Sequence, residues 1–362
     1  MRNLLTIFLA AALLFTAAVP TRALDISASS AIVMEVGGAV VFERDADTRR
    51  PMASTTKIMT ALTAIESGAL SRTVTVPPEA AGVEGSSIYL EPGDRLTLED
   101  LVWALMLESA NDAAAAIALE LGGSIEGFAA LMNEKAAELG LSDTHFTNPH
   151  GLSDDSHYTT ARELAILSAH AMKNPTFRQI VSSESHVIRI GDTTRQLHNH
   201  NKLLRMYDGA VGVKTGFTKA SGRCLVSAAE RDGVTLVAVT LNAPDDWRDH
   251  TAMLDLGFET LEAVTLAEPL SIVHRRPCIG AACEITAQNR EGLTVILPRG
   301  EHSVTGTVEL APYLWAPVKA GDVLGRIVFR DGETVLGELP LYAVNDAPRI
   351  VYKKTLLERI FH

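Results

Sequence analysis

Three short polar motifs in a fixed order constrain this chain more than any other feature of its sequence. Ser54–Lys57 (S-x-x-K) opens an apolar helical pattern, Ser109–Asn111 (S-x-N) separates two further helical patterns, and Lys214–Gly216 (K-T-G) precedes two strand-like runs. A serine hydroxyl is a weak nucleophile unless a base lies within hydrogen-bond reach. Residues three apart lie on the same face of a helix, so Ser54 and Lys57 can touch. The sequence therefore predicts a fold that gathers a helix start, an interhelical turn and a strand around one serine.

The candidate base, Lys57, has to lose its proton before it can act. A free lysine has a pKa of about 10.4 and is protonated at neutral pH. Burial and a second nearby cation both disfavour the charged amine, and Lys214 is the candidate for that cation. The helix N-terminus at Ser54 favours developing negative charge. We therefore expect Ser54 to act as the nucleophile, with Lys57 as its neutral base.

The other motif residues have candidate roles around that serine. The backbone N–H groups of Ser54 and of the residue after Gly216 can form an oxyanion hole, and Gly216 lets the strand approach the substrate closely. Ser109 can relay a proton to the leaving amine, and Asn111 can hold the substrate amide. An ordinary helix cap, interhelical turn or strand end also explains each motif alone. The ordered set favours catalysis.

Residues 1–23 have the pattern of a secretory signal peptide. Arg2 supplies a positive start, residues 4–19 are apolar, and Thr21-Arg22-Ala23 ends with small residues at its outer positions. An uncleaved membrane anchor is the alternative, although about 16 apolar residues is short for a spanning helix. We expect cleavage after Ala23 and export to the cell envelope.

The charge of the chain argues against one class of partner. Its formal net charge is −12, which becomes −14 when the two arginines of the signal peptide, Arg2 and Arg22, are removed. Nucleic-acid binding needs basic patches. We therefore predict no nucleic-acid partner.

The cysteines and a histidine pair give no metal-site pattern. Cys278 and Cys283 are close enough in sequence to form a disulfide, whereas Cys224 opens an apolar run and is interpreted as a buried free thiol. His198 and His200 have no obvious third ligand nearby, so a solvated or hydrogen-bonded role is the better interpretation. We predict neither a metal nor a cofactor.

The chain from residue 24 to 263 has the mixed pattern of an α+β domain. Two β-rich runs, 31–36 and 39–42, flank a Gly-Gly pair, which is typical of a hairpin. Glu163 follows Thr160 by three residues and completes a predicted capping box. Two adjacent antiparallel strands are predicted after the K-T-G motif. Start signals and apolar periodicity predict helices that begin near Ser54, Thr97, Asn111, Phe128 and Thr160.

The pattern changes near residue 264. Short β-type runs alternate with turn signals over residues 264–347, which predicts a small all-β domain. In the tail, 348–362, basic residues alternate with Leu356, Leu357, Ile360 and Phe361, whose spacing places these four on one helix face. Such a segment can lie in a membrane interface. Packing on the β-domain, or a frayed end, is the alternative.

The chain resembles the low-molecular-mass penicillin-binding proteins of the D-alanyl-D-alanine carboxypeptidase family. The resemblance covers residues 28–262 strongly and the β-rich region more weakly. Beyond the three motifs, it rests on Phe146–Leu152 (FTNPHGL), Thr159–Leu164 (TTAREL), Asn199–Leu204 (NHNKLL) and Gly212–Thr218 (GVKTGFT).

This resemblance implies a serine penicillin-binding/β-lactamase-like catalytic domain, with helices and an antiparallel sheet, followed by a β-sandwich. It implies that the enzyme removes the terminal D-alanine of peptidoglycan stem pentapeptides through an acyl-enzyme on Ser54. It also implies that β-lactams act as covalent inhibitors. Lys57 would be the base, and the site would be completed by Ser109, Asn111 and Lys214.

The implied substrate-binding residues are Lys214, Thr215, Gly216, Phe217 and Arg248. Phe217 would donate the second oxyanion N–H, in a position where relatives often have histidine. Arg248, in a loop of variable length, would match the family's arginine for the terminal carboxylate.

Other activities share this chemistry. A β-lactamase needs a glutamate that activates water, and Glu163 lies between the second and third motifs but has Leu167 where asparagine is expected four residues later. A transpeptidase passes the same acyl group to an amine. A penicillin-binding sensor would keep Ser54, Lys57 and Lys214 yet stay acylated.

Overall fold

The computed structural model describes residues 24–351, which form two compact units divided between Thr260 and Leu261. That division lies near the boundary expected at residues 263/264. The predicted signal peptide, residues 1–23, lies outside the described residues, as does all but the start of the predicted tail, residues 348–362.

The first unit combines helices with an antiparallel sheet. Its helices are α1 Lys57–Glu66, α2 Leu98–Leu107, α3 Asn111–Gly122, α4 Ile125–Glu138, α5 Ala161–Met172, α6 Pro175–Ser182, α7 Leu203–Met206 and α8 Asp246–Thr260. Its strands are β1 Ser30–Glu35, β2 Val40–Arg44, β3 Thr73–Thr75, β4 Arg95–Thr97, β5 Ser185–Ile190, β6 Thr193–His198, β7 Ala210–Thr218, β8 Gly222–Arg231 and β9 Val234–Leu241. Short 3-10 helices span Ala53–Thr56 and Pro78–Ala80.

The main sheet has the order β2-β1-β9-β8-β7, and every pairing in it is antiparallel. The predicted N-terminal hairpin is confirmed, as are the two adjacent strands after the K-T-G motif, β8 and β9. Because β7 is an edge strand, one side of the K-T-G segment has no strand beside it within this sheet.

Helices cover the sheet on both faces. Val237 and Val239 of β9 belong to a core shared with α1, α2 and α5. Successive strand residues point to opposite faces, and on the other face Thr240 bonds to His250 of α8, at 2.9 Å between Oγ1 and Nε2. Helix α8 replaces the loop expected near Arg248, since it begins at Asp246.

The helix starts follow the predicted signals with one difference. Thr97 forms a complete capping box with Asp100 at the start of α2. At α5 only half of the predicted box exists, because the Thr160 hydroxyl accepts from the Glu163 N–H at 3.1 Å, but the Glu163 carboxylate accepts instead from the Asp143 N–H. Thr144 also donates to that carboxylate. Glu163 therefore fixes residues 143 and 144 against the start of α5 instead of capping its own helix.

The second unit is all-β, as predicted. Its strands are β10 Leu261–Ala267, β11 Val273–Arg276, β12 Cys278–Ile279, β13 Ile285–Gln288, β14 Leu293–Pro298, β15 Val304–Leu310, β16 Leu314–Trp315, β17 Val323–Asp331 and β18 Thr334–Ala343. A five-stranded sheet has the order β11-β13-β18-β17-β15, and β10 pairs with β14. Ala267 of β10 packs with Ile327 and Phe329 of β17 in one apolar cluster. Cys278 and Cys283 are free thiols in this structure.

Within residues 24–351, no single helix is both long enough and apolar enough to cross a bilayer. Helices α3 and α4 pass that test only when taken together, and they meet at a bend of 82°.

Candidate active site

Ser54 lies in the 3-10 turn Ala53–Thr56, which runs directly into α1. Ala53 just before it has a left-handed backbone, with φ of 48°, a conformation that costs energy for a residue with a side chain. The Thr56 hydroxyl donates to the Ala53 carbonyl at 2.8 Å and lies 2.7 Å from Nε2 of His157. Since Nδ1 of His157 accepts from the Thr147 N–H at 3.0 Å, Nε2 carries the proton and donates to Thr56. The nucleophile turn is therefore held from the 147–157 loop.

Lys57 brings the first two motifs together. Its Nζ lies 3.1 Å from Oγ of Ser54, 2.7 Å from Oδ1 of Asn111 and 2.6 Å from the His150 carbonyl oxygen. The side chain is completely buried. The distance to Ser54 confirms that these residues touch across one helical turn.

The three neighbours of Lys57 can hold the neutral form of the amine in the orientation of a base. The amide oxygen of Asn111 and the carbonyl oxygen of His150 can only accept hydrogen bonds, so each takes an N–H from Nζ. A neutral amine has two N–H bonds and one lone pair. The lone pair is then left to face Ser54 Oγ, which is the arrangement a base needs in order to take the hydroxyl proton.

The electrostatics of the two lysines agree with that arrangement. Burial lowers the pKa of Lys57 well below its usual value, Lys214 lowers it further, and the carboxylate of Asp112 opposes the shift. Burial lowers the pKa of Lys214 to about 7. Lys214 donates to the Thr215 carbonyl at 3.0 Å. Two buried lysines with lowered pKa values therefore lie close enough to influence each other.

Strand β7 lies against the nucleophile turn. A Cβ placed on Gly216 would lie 3.1 Å from the Ser54 nitrogen and 3.2 Å from the Ala53 Cβ. A side chain there would crowd the Ser54 N–H, so glycine fits the third position of K-T-G best. The next residue, Phe217, is exposed, and its backbone N–H belongs to the segment that passes the serine.

The second motif forms a strained interhelical turn. Ser109 is buried between α2 and α3 and has a φ of 59°. Asn111 begins α3, where its side-chain amide donates to the Glu84 carbonyl while its oxygen accepts from Lys57. The amide orientation is thus fixed from both ends.

Three residues that contribute to the site were not assigned a role from the sequence. Asp112 is a buried carboxylate that accepts from the Leu90 N–H and from the Ser87 hydroxyl. His150 supplies the carbonyl for Lys57, and His157 supports the nucleophile turn. Both histidines lie in or beside the FTNPHGL segment, so that segment was the available signal for them. Asp112 stands alone before an alanine run.

The predicted carboxylate-binding residue lies on a helix. Arg248 is in the first turn of α8, where its Nε is 3.3 Å from Asp245 and its Nη2 is 3.5 Å from Asp249. These acidic partners partly neutralise its charge. Thr215, by contrast, lies on β7 within the K-T-G segment.

Two residues considered in the sequence analysis, Cys224 and His200, have surroundings that agree with their interpretation. Cys224 is a buried free thiol, as predicted, and burial raises its pKa. His200 lies 3.2 Å from the Glu108 carboxylate, which agrees with a hydrogen-bonded role.

The fold and this site define a class of protein. A buried lysine touches a serine at a helix start, and an edge strand with K-T-G passes that serine in an α+β domain. This is the arrangement of the acyl-serine, penicillin-binding proteins.

Comparison with known families and proteins narrows the class. The family model described as D-alanyl-D-alanine carboxypeptidase matches residues 15–245, and the one described as penicillin-binding protein 5, C-terminal domain, matches residues 280–349. The chain is 32% identical over 339 residues to D-alanyl-D-alanine carboxypeptidase DacF of Bacillus subtilis, covering 90% of this chain and 87% of that protein. It is also 32% identical over 359 residues to DacC of Escherichia coli, covering 94% and 89%.

Solved structures of penicillin-binding proteins and DD-transpeptidases are also similar to this chain. Penicillin binding protein 5 from Haemophilus influenzae matches with a TM-score of 0.69 and 26% identity, covering 91% of this chain and 100% of that chain. The Streptomyces K15 DD-transpeptidase matches with a TM-score of 0.62 and 34% identity, covering 66% and 99%. The chain belongs to the D-alanyl-D-alanine carboxypeptidase family, whose members are serine peptidases that act on peptidoglycan outside the cytoplasm.

The two lysines predict a bell-shaped pH dependence of acylation by benzylpenicillin. The second-order rate constant should rise with pH as Lys57 becomes neutral, and fall as pH passes about 7 because Lys214 loses its charge. Such a rate constant reports the pKa values of the free enzyme.

The variant that separates the two limbs is Lys214→Arg, because an arginine keeps its charge throughout this range. Its alkaline limb should move above the tested pH range, whereas the exposed Lys219→Arg in the following turn should keep the wild-type profile. An unchanged alkaline limb in Lys214→Arg would assign that limb to another group.

Proposed function

We propose that this carboxypeptidase removes the terminal D-alanine of peptidoglycan stem pentapeptides through an acyl-enzyme on Ser54. The observation that carries the proposal is the surroundings of Lys57 Nζ, where Asn111 and His150 take both N–H bonds and Ser54 Oγ lies at 3.1 Å. An amine held in this way is already arranged as a base.

The proposed reaction begins with proton transfer from the Ser54 hydroxyl to Lys57. Oγ attacks the carbonyl carbon of the penultimate D-alanine, and the resulting oxyanion accepts from the N–H groups of Ser54 and Phe217. The closeness of Gly216 to the Ser54 nitrogen supports that pairing. The tetrahedral intermediate expels D-alanine, whose amine receives the proton held by Lys57 through Ser109. Lys57 is then neutral again, and an ester on Ser54 remains.

Water then completes the cycle by attacking that ester. Lys57 takes a proton from the water, and the tetrapeptide carboxylate leaves as Ser54 regains its hydrogen. Asn111 holds the amide of the bound peptide, while Lys214 and Thr215 line the side where the terminal carboxylate arrives. β-Lactams would acylate the same serine through ring opening, because their amide stands in for the scissile bond.

The alternative activities differ in the fate of the acyl group. Glu163, the candidate for a β-lactamase water-activating residue, is committed to Asp143 and Thr144, so we do not assign it that role. Transfer to an amine remains the second candidate, since the similar Streptomyces K15 structure is titled a DD-transpeptidase.

The acyl-enzyme is tested by intact-mass analysis after incubation with benzylpenicillin. We expect one adduct in the wild type and none in Ser54→Ala. Lys57→Arg keeps the positive charge but cannot deprotonate, so its acylation should slow by a factor of about 10² or more. An adduct that persists in Ser54→Ala would refute the assignment of the nucleophile, and near-normal acylation of Lys57→Arg would refute that of the base.

The partition between hydrolysis and transfer is tested with a synthetic pentapeptide ending in D-Ala-D-Ala. We expect the mass spectrum to show tetrapeptide and free D-alanine, and added amine to divert only a minor fraction of product. A dominant amide product would make the chain a transpeptidase, and a stable acyl-enzyme without turnover would make it a sensor.

We further propose that the exported enzyme is held at the outer face of the cytoplasmic membrane by its basic, apolar C-terminal tail. The last described residues leave the second unit beside exposed apolar side chains, since the Ile350 N–H donates to the Gly280 carbonyl at 2.7 Å. Ile279 pairs with Trp315 in β12–β16, and both side chains are exposed. Tryptophan and tyrosine favour membrane interfaces, and Tyr313 contacts Trp315 edge-on.

The membrane proposal is tested by co-sedimentation with anionic vesicles at low and high salt. The mature protein should bind weakly and reversibly at low salt, and a form ending at Arg349 should bind less. That truncation removes the hydrogen bond from Ile350 to Gly280 but keeps the pair of hydrogen bonds between Val318 and Ala347, so the end of the β-domain stays paired. Equal partitioning of the two forms would exclude the tail as an anchor.

A further inference from the structure

Two thiols of the second unit lie at the two ends of one short turn. Cys278 begins β12, and Cys283 follows four residues later, just before β13. Between them, the Ala281 N–H donates to the Cys278 carbonyl at 3.2 Å, and Gly280 has a φ of 80°. A hydrogen bond between residues three apart is that of a β-turn, in which the chain reverses direction. The turn therefore brings the two cysteines toward each other.

Both cysteines lie against the same segment near the end of the second unit. The Cys283 thiol donates to the Asp346 carbonyl, with 3.5 Å between Sγ and the oxygen. Cys278 belongs to a buried apolar cluster that includes Ala347 and Val318. Two hydrogen bonds, of 3.1 and 2.8 Å, join Val318 to Ala347. The thiols thus lie beside adjacent residues of a segment that is itself held in place.

The two thiols differ in exposure, and they influence each other. Both are reduced in this structure, with Cys278 buried and Cys283 exposed. Burial raises the pKa of Cys278, and charge on Cys283 raises it further. Such an effect falls off within about 10 Å in physiological salt, which agrees with the proximity that the turn gives. Cys224, the remaining cysteine, is buried in β8 of the first unit.

We propose that Cys278 and Cys283 form a disulfide once the protein has been exported, and that this bond fixes the turn between β12 and β13. Members of this family act outside the cytoplasm, and disulfides form and persist in oxidising compartments of that kind. The inference rests on export of the chain and is independent of the acyl-enzyme proposed for Ser54.

The oxidation needs a disulfide as oxidant, either a small molecule or another protein. The exposed Cys283 attacks one sulfur of that disulfide as a thiolate, and the other sulfur leaves and takes up the proton that Cys283 lost. Cys278 then gives up its proton and attacks the Cys283 sulfur, so the second sulfur of the oxidant also leaves as a thiol. Two protein thiols are oxidised and one disulfide is reduced to two thiols, which balances two electrons and two protons.

The bond would brace the place from which the chain leaves the second unit. The Gly280 carbonyl, inside the closed turn, accepts from the Ile350 N–H at 2.7 Å. A disulfide restricts the unfolded chain, so the turn that offers this carbonyl should be harder to open when it is oxidised. The competing explanation is a pair of thiols that stays reduced, with Cys278 acting as a small apolar residue of the core.

The proposal is tested on the full mature chain, purified in reduced form and incubated with oxidised glutathione. Intact-mass analysis should show loss of two hydrogens with no glutathione retained, and alkylation of the unfolded product with iodoacetamide should then modify Cys224 alone. The mature chain isolated from the cell envelope and alkylated without reductant should likewise carry one label. Three labels in either sample, or a glutathione that persists on wild-type Cys283, would overturn the proposal.

Two matched variants check the order of the steps. Cys278→Ser should retain one glutathione on Cys283, because no second thiol displaces it. Cys283→Ser should acquire no glutathione in the time that oxidises the wild type, since a buried structural thiol is inert. Loss of two hydrogens in either variant would show that Cys224 takes part and would refute the assigned pair. Thermal unfolding shows that each variant is folded, and reductant should lower the midpoint of the wild type alone.

Discussion

The active site depends on the burial of one lysine side chain. Lys57 Nζ contacts the helix start at Ser54, the second motif through Asn111 and the 147–157 loop through the His150 carbonyl. A buried amine has to satisfy its hydrogen bonds within the protein, so these segments are fixed relative to one another. Because two of its three partners can only accept, the lone pair of the neutral amine is the group left to face the serine.

Close backbone approach supplies the second constraint. Gly216 lets β7 pass beside the Ser54 nitrogen, and Gly151 lets the 147–157 loop pass the Ala53 carbonyl oxygen, which a Cβ there would approach to 1.9 Å. Gly151 also has a φ of 89°. The Ser54 turn is therefore approached by backbone from two sides, so the position of the Ser54 N–H is set by backbone packing.

The charged groups around Lys57 influence one another. Two buried cations, Lys57 and Lys214, would repel each other if both were charged, and the result is a lowered pKa for Lys57. Asp112 lies behind them as a buried anion that also holds the 87–90 segment. Arg223 of β8 pairs with Asp246 at the start of α8.

The amino-acid sequence was enough to identify the three motifs and their order along the chain, and to predict the hairpin, helices α1 to α5 and the change to an all-β unit near residue 264. These follow from local spacing, capping and periodicity, which need only neighbouring residues. The three-dimensional fold was needed to place Lys57 against the His150 carbonyl, to begin α8 at Asp246 and to set Arg223 opposite Phe217. The first of these joins segments far apart in sequence. A side-chain pKa follows from burial and from groups brought close by the fold, and cross-strand neighbours are set by register, so local patterns could not reveal them.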